Sequence, residues 1–120
     1  MADTISLIGK KISYQRNGKQ IGFLKFKFPD DPSKKTNRNI EIDWIAVNQK
    51  FRRQGIATKL VEYFLKTFND RLWVTFWTGR QIELDNAWKL YEKVGFKQVY
   101  YQEDYFEKGV GTRLFVKRLK

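Results

Sequence analysis

Phe51-Arg52-Arg53-Gln54-Gly55-Ile56-Ala57 joins a β-branched and aromatic run (Ile40, Ile42, Trp44, Ile45, Val47) to residues recurring at helical spacing (Leu60, Val61, Phe64, Leu65, Phe68). Gly55 lets the backbone turn tightly or admit a ligand close to the main chain. The first turn of the helix behind it presents unpaired N–H groups at the positive end of the helix dipole. Such a turn binds an anion, here a phosphate or pyrophosphate, and Lys50, Arg52 and Arg53 add full charges beside it. The alternative is a strand-to-helix turn with a solvated basic rim, and one glycine among basic residues does not decide between the two. The chain contains neither cysteine nor histidine. Thiolate nucleophiles, imidazole catalysis and the metal centres built from either are thereby excluded. A general base has to be a carboxylate, a lysine, a tyrosine or water held by the backbone.

The 120 residues suffice for a single domain spanning residues 1–120, with one core of two or three layers. An aromatic share of 17% points to a packed core rather than disorder. The formal net charge of +11 implies attraction to anions: nucleic acid, a phosphorylated cofactor or an acidic membrane face. Most of the lysine and arginine pairs are read as solvated faces of strands and loops. No apolar run approaches the roughly 20 residues that cross a bilayer, and no signal peptide is evident. A cytoplasmic chain with no membrane partner is the expectation.

Two or three strands are expected between Thr4 and Phe28, with Asn17-Gly18 as a hairpin turn. Leu24, Phe26 and Phe28 then share a buried face opposite Phe23, Lys25 and Lys27, and Gly22 marks a bulge or a close backbone approach. Pro29 to Asn39 reads as a loop and Ile40 to Val47 as the central strand. A helix follows from about Gly55 to Asn69, then Leu72 to Thr78 as an interior strand covered on both sides. Gly79 to Leu84 reads as a loop. Asp85 then caps a second helix whose buried stripe is Ala87, Leu90, Tyr91 and Val94 and which Gly95 ends. Phe96 to Gln102 and Thr112 to Leu119 form a last antiparallel pair, joined by the acidic connection Glu103 to Gly111. Trp44, Trp73, Trp77 and Trp88 are read mostly as core, with one exposed tryptophan as a mark of a dimer face. The fold class is α+β: a mixed, mostly antiparallel twisted sheet of about six to seven strands with two main helices.

This order of elements resembles the GNAT superfamily of acyl-coenzyme A dependent N-acyltransferases. Arg52-Arg53-Gln54-Gly55-Ile56-Ala57 resembles the family's pyrophosphate motif, an Arg or Gln followed three residues later by Gly-x-Gly or Gly-x-Ala. Ile45-Ala46-Val47 ends a strand as the family's fourth strand does. Asn86-Ala87-Trp88-Lys89-Leu90-Tyr91-Glu92-Lys93-Val94-Gly95-Phe96 resembles its second motif, with the core Leu-Tyr-Glu-Lys-x-Gly-Phe. Both motifs in the family's order, each in its strand or helix context, are far more specific than either alone. The family often carries two helices between its first and second strands. This chain has no room for them and resembles a reduced member. The family's asparagine seven residues before the motif tyrosine is replaced by Leu84, and Asn86 is the nearest amide.

The resemblance implies acetyl-coenzyme A as cofactor, its pantetheine arm lying between splayed fourth and fifth strands against the backbone of Ile45, Ala46 and Val47. The Ile45 N–H would polarise the thioester carbonyl. The N–H groups of Arg53, Gln54, Gly55, Ile56, Ala57 and Thr58 would take the pyrophosphate, with Arg52 at the motif's first position and Asn86 nearby. Tyr91 would be the general acid at the sulfur, against the reading of a core tyrosine on an apolar stripe. Glu41 and Asp43, two apart on one strand, are the candidate bases, Glu41 matching the glutamate of histone-acetylating members. Acetyl transfer to a primary amine follows: a protein lysine or N-terminus, a polyamine or another small cationic amine. Glu41, Asp43, Glu103, Asp104 and Glu107, negative in an otherwise basic chain, would attract it. Three alternatives stand beside it: acetylation of an aminoacyl-tRNA or ribosome-associated substrate, a non-enzymatic nucleic-acid-binding module with aromatics interleaved among lysines, and a degenerate family member that binds coenzyme A without catalysis or serves as an interaction protein. The oligomeric state is a monomer or homodimer.

Overall fold

The computed structural model describes residues 2–28 and 39–119. Seven strands, β1 (Asp3–Ile8), β2 (Lys11–Arg16), β3 (Lys19–Lys27), β4 (Asn39–Val47), β5 (Trp73–Trp77), β6 (Lys97–Glu107) and β7 (Val110–Arg118), make one sheet in the order β1-β2-β3-β4-β5-β7-β6. Only β4 and β5 run parallel. Helix α1 (Ile56–Thr67) makes that parallel crossover, and two short helices, α2 (Arg80–Leu84) and α3 (Lys89–Lys93), connect β5 to β6. Most of the loop expected at Pro29 to Asn39 lies outside the described residues. Among the described residues no helix is long and apolar enough to cross a membrane.

Hairpin chemistry sets the first half. Asn17 and Gly18 both hold positive φ, as a two-residue turn with right-handed strand twist demands. A turn at Gly9-Lys10 joins β1 directly to β2, so no helix intervenes between them. The core occupies one face of the sheet. Ile12, Leu24, Ile42, Val74, Phe76 and Phe115 point there, and Ile56, Leu60, Val61 and Phe64 of α1 close over them. Each such burial contributes about 1.5–3 kcal/mol. Gly22 lies under the start of α1: a Cβ there would sit 3.2 Å from Ile56 Cγ2 and 3.3 Å from the Ala46 carbonyl. The missing side chain lets α1 begin close against the sheet, which fixes where its N-terminus lies relative to β4.

The decisive irregularity is in β4. Lys25 pairs with Trp44 and Phe26 with Ile42, so Asp43 has no residue opposite it and forms a bulge. Pairing of β4 with β5 covers Asn39 to Ile42 against Trp73 to Phe76 and ends there, whereas Val47 still pairs with Gly22 of β3. The two parallel strands therefore part at the bulge and leave a wedge.

Four expectations are corrected. Gly79 to Leu84 is not a loop: Arg80–Leu84 is helical, held to β7 by Arg113 Nε at 3.1 Å from a Glu83 carboxylate that is nearly buried. Asp85 does not cap the helix bearing Tyr91. It ends α2, because Asn86 takes the left-handed conformation (φ 54) and its N–H and that of Ala87 return to the carbonyls of Glu83 and Ile82. Ala87 is accordingly exposed. The acidic stretch from Glu103 is strand rather than connection. The turn is only Lys108-Gly109, with Asp104 in a left-handed bulge whose Oδ1 accepts from the Gly109 N–H at 2.6 Å. Finally, β5 is interior in the sheet order but covered on one face alone. Trp77 and Trp44, whose side chains leave the helix-covered face, are 45% and 56% exposed.

Candidate active site

The wedge opens into a cleft of about 1160 Å³. Its walls are Asp43 to Val47 of β4, Phe51 to Arg53 and Gly55 to Thr58 of the turn into α1, Phe76 to Ile82, Asp85 to Ala87 with Leu90 and Tyr91, and Phe106 of β6. The direction of the β4 backbone follows from one bond. The Asn48 N–H donates to Ile21 at 2.8 Å, toward β3, so by strand alternation Ala46 faces β3 while Ile45 and Val47 turn their N–H and C=O groups into the wedge. The Val47 carbonyl accepts from Arg52 Nε at 3.3 Å. Ile45 meets no β5 residue, since that pairing has already ended.

At the cleft's end the chain turns into α1 through two left-handed residues, Arg53 (φ 65) and Gly55 (φ 76). The helix ladder begins with Lys59 donating to the Gly55 carbonyl at 3.0 Å, which leaves the N–H groups of Gly55, Ile56, Ala57 and Thr58 aimed out of the helix start. No acidic side chain sits in that first turn. A cradle of amides with a positive dipole end and two arginines is suited to a pyrophosphate. Arg53 lines the cleft. Arg52 is held across its mouth, Nη1 lying 3.6 Å from Asp85 Oδ2. Gln54 turns its side chain away to accept from Arg16 at 3.0 Å, so only its backbone can serve the cradle. Arg16 is itself paired with Asp3, whose carboxyl it holds far below the usual range with help from the Tyr14 hydroxyl. The cradle is thus braced from β1 and β2.

Tyr91 reaches the opposite side of the wedge from α3. That short helix ends at Gly95 (φ 96), with the Phe96 N–H returning to the Tyr91 carbonyl at 2.8 Å. The same closure packs the Phe96 ring edge-on to Tyr91 at 5.5 Å. The Tyr91 ring stacks on Phe76 at 4.1 Å and lies 6.0 Å from Phe115. Its hydroxyl is buried without a hydrogen-bond partner among the described residues, and burial pushes its pKa far above the ordinary phenol value. An unpaired buried hydroxyl is destabilising by about 1–3 kcal/mol, which makes Tyr91 a candidate to meet a partner that the described residues do not supply. The stretch of β4 without a β5 partner, the amide cradle and the orphan hydroxyl line one cleft, and together they fit a thioester carrier with a pyrophosphate at one end and a sulfur at the other.

The two carboxylates are separated by the bulge. Glu41 pairs with Thr75 below the splay and does not line the cleft, whereas Asp43 does. Lys27 Nζ joins them, 3.1 Å from Glu41 and 3.6 Å from Asp43, and stays charged because the Glu41 hydrogen bond raises its pKa. Of the other acidic residues, Glu107 pairs with Arg80 and Asp104 with the Gly109 N–H. Asn86 lines the cleft. The sequence reading missed the far wall, Trp77 to Ile82, together with Asp85 as the partner of Arg52. Arg80-Gln81-Ile82-Glu83-Leu84, a run of helix formers behind a glycine, was the signal for that wall.

Comparison with known proteins agrees with the geometry. The Acetyltransferase (GNAT) family profile matches residues 6–96. Among solved structures, YncA of Salmonella typhimurium with its cofactor acetyl-CoA superposes at a TM-score of 0.75 and 13% identity, over 92% of this chain and 64% of that one. Ard1 from Thermoplasma volcanium gives 0.74 and 21%, over 92% and 71%. The ribosomal-protein-S18-alanine N-acetyltransferase from Escherichia coli gives 0.73 and 16%, over 95% and 72%. This chain therefore spans about two-thirds of the length of such proteins, and no curated protein sequence matches it. The profile over most of the chain, the shared fold and a wedge shaped for acetyl-CoA lead to one conclusion: this chain belongs to the acetyltransferase (GNAT) family of acyl-coenzyme A dependent acetyltransferases.

Proposed function

We propose that the chain transfers an acetyl group directly to a primary amine. The observation that carries this reading is the orphan Tyr91 hydroxyl, buried on the wall of a wedge whose other side is the stretch of β4 that β5 no longer pairs. Bound acetyl-coenzyme A supplies an activated thioester, whose transfer forms a C–N bond, breaks the C–S bond and moves one proton net from the amine to the sulfur. The Gly55 to Thr58 amides hold the pyrophosphate, with Arg53 beside them and Arg52 reached by opening its Asp85 contact. The Ile45 N–H, directed into the wedge, donates to the carbonyl oxygen as negative charge grows there. Tyr91 donates a hydrogen bond to the departing sulfur. Asp43, at the bulge where the acceptor side opens, accepts the amine proton directly or through water, while Glu41 keeps Lys27 in place.

Thiol release with acetyl-coenzyme A across a panel of amines tests this. Release should require an amine, and Asp43→Asn should lower kcat/KM for the amine about 100-fold, the scale of a lost general base. Glu41→Gln, outside the cleft, should stay within about threefold. Thiol release that ignores added amine, or the reverse order of the two variants, would overturn the assignment.

A further inference from the structure

A second groove, of about 660 Å³, lies over the β6–β7 hairpin and shares Trp77, Thr78 and Phe106 with the wedge. Its walls add Val99, Tyr100, Tyr105 and Leu114. Trp77 meets Tyr100 edge-on at 5.8 Å and Tyr105 meets Phe106 edge-on at 4.9 Å. Tyr105, Trp77 and Tyr100 are 57%, 45% and 45% exposed. Their polar neighbours are committed elsewhere: Thr112 Oγ1 donates to the Thr78 carbonyl at 2.9 Å, and Gln102 accepts from the Tyr100 hydroxyl at 3.0 Å. In a chain with 31% charged residues, no charged side chain among the described residues lines this groove. The nearby acids Asp104 and Glu107 are bound to the Gly109 N–H and to Arg80.

We propose that this groove is the acceptor subsite and that it selects a small arylalkylamine, a primary amine one or two carbons from a planar ring. The proposal rests on the acyl-transfer reading above. A ring lying among Trp77, Tyr100, Tyr105 and Phe106 gains stacked and edge-on contacts, and the shared residues Trp77 and Phe106 set its amine toward the wedge. A groove of this size suits a small molecule rather than a folded partner. It also favours the reactive form: an apolar wall destabilises the ammonium and lowers its pKa, delivering the neutral nucleophile. A polyamine would have to leave its remaining charges uncompensated against the same wall. The nitrogen attacks the thioester carbonyl carbon, the C–N bond replaces the C–S bond, and the amine proton leaves by way of Asp43.

Steady-state thiol release with phenethylamine and tryptamine, set against butylamine and spermidine, reads the preference. Arylalkylamines should exceed both aliphatic amines by about tenfold or more in kcat/KM, as one or two ring contacts allow. Tyr100→Ala and Tyr105→Ala should each raise KM for the aromatic amine about five- to tenfold while KM for butylamine and affinity for acetyl-coenzyme A hold. Thermal melts identify any variant that misfolds, and Tyr105→Leu, which keeps apolar bulk without the ring, repeats the test. Equal or better turnover of spermidine or butylamine, or unchanged KM in the variants, overturns this inference and leaves amine acetylation standing. Peptides beginning with Phe that outperform the free amines would also overturn it, by assigning the groove to a polypeptide. Thiol release with no amine at all would instead remove the acyl-transfer reading on which it stands.

Discussion

Tyr91→Phe is expected to lower kcat by about 100- to 1,000-fold, the range of a lost acid or hydrogen-bond donor at the reacting atom. The same change should leave the protein as stable as before or more so. Both expectations come from one atom. The hydroxyl has no partner among the described residues and sits in a wall made by Phe76, Phe96 and Phe115. Deleting it removes an unsatisfied polar group and adds no cavity, so the unfolding free energy should hold or rise by about 1 kcal/mol. A tyrosine that served only the core would behave differently, losing nothing in turnover. KM for acetyl-coenzyme A should move little, because the bond forms only as charge gathers on sulfur.

The pH profile separates donor from titrating acid. Burial raises the Tyr91 pKa well above the ordinary phenol. The folded protein thus holds this proton through the whole alkaline range in which a free tyrosine would lose it, near pH 10. An alkyl thiol has its pKa near 8.5, so complete transfer from Tyr91 to the thiolate runs uphill. The hydroxyl steadies the leaving sulfur by donating a hydrogen bond, and the proton that finally stays on sulfur comes from the amine. No falling limb in kcat between about pH 8 and 10 should therefore disappear in Tyr91→Phe. A limb abolished by that variant would show Tyr91 ionising and contradict the burial argument.

Those parts of the site that rest on local chemistry are legible in the sequence. Asn17-Gly18, the left-handed Gly55, the α1 stripe and the terminating Gly95 each declare a backbone geometry through residue type, and the structure has all four. Two motifs at the right places in the element order were enough for the family. What escaped was set by non-local geometry. The Asp43 bulge depends on how β3 and β4 slip against each other, and nothing in Ile40 to Val47 announces it, yet it decides that Asp43 faces the cleft and Glu41 does not. Asp85 looked like a helix start because aspartate caps N-termini well. The competing preference won: Asn86 accepts a left-handed conformation and stops the preceding helix. The tryptophans misled for a similar reason. Composition places Trp in cores, but a sheet covered on one side must expose alternate residues of its middle strands, and Trp44 and Trp77 are among those.

Gly55→Val should weaken acetyl-coenzyme A binding about 100-fold or more, roughly 2.7 kcal/mol, while the domain still folds. The effect of a side chain at this position comes through the backbone. Gly55 holds φ 76, a conformation a β-branched residue resists by about 1–2 kcal/mol, and relief of that strain would swing the first-turn amides out of line. A Cβ at Gly55 meets no protein atom within 4 Å, so the substitution is opposed by backbone strain and not by packing at that atom. Folding should lose no more than the strain itself. The affinity, by contrast, loses amide hydrogen bonds to a doubly charged group, which are the strong kind. Calorimetry with acetyl-coenzyme A reads the loss, and pantetheine, which lacks the diphosphate, is the control: its weaker binding in the β4–β5 wedge should be the same in both proteins. If Gly55→Val bound acetyl-coenzyme A as the parent does, the turn before α1 would be mere connection. If it weakened pantetheine equally, the damage would lie in the wedge and not in the cradle.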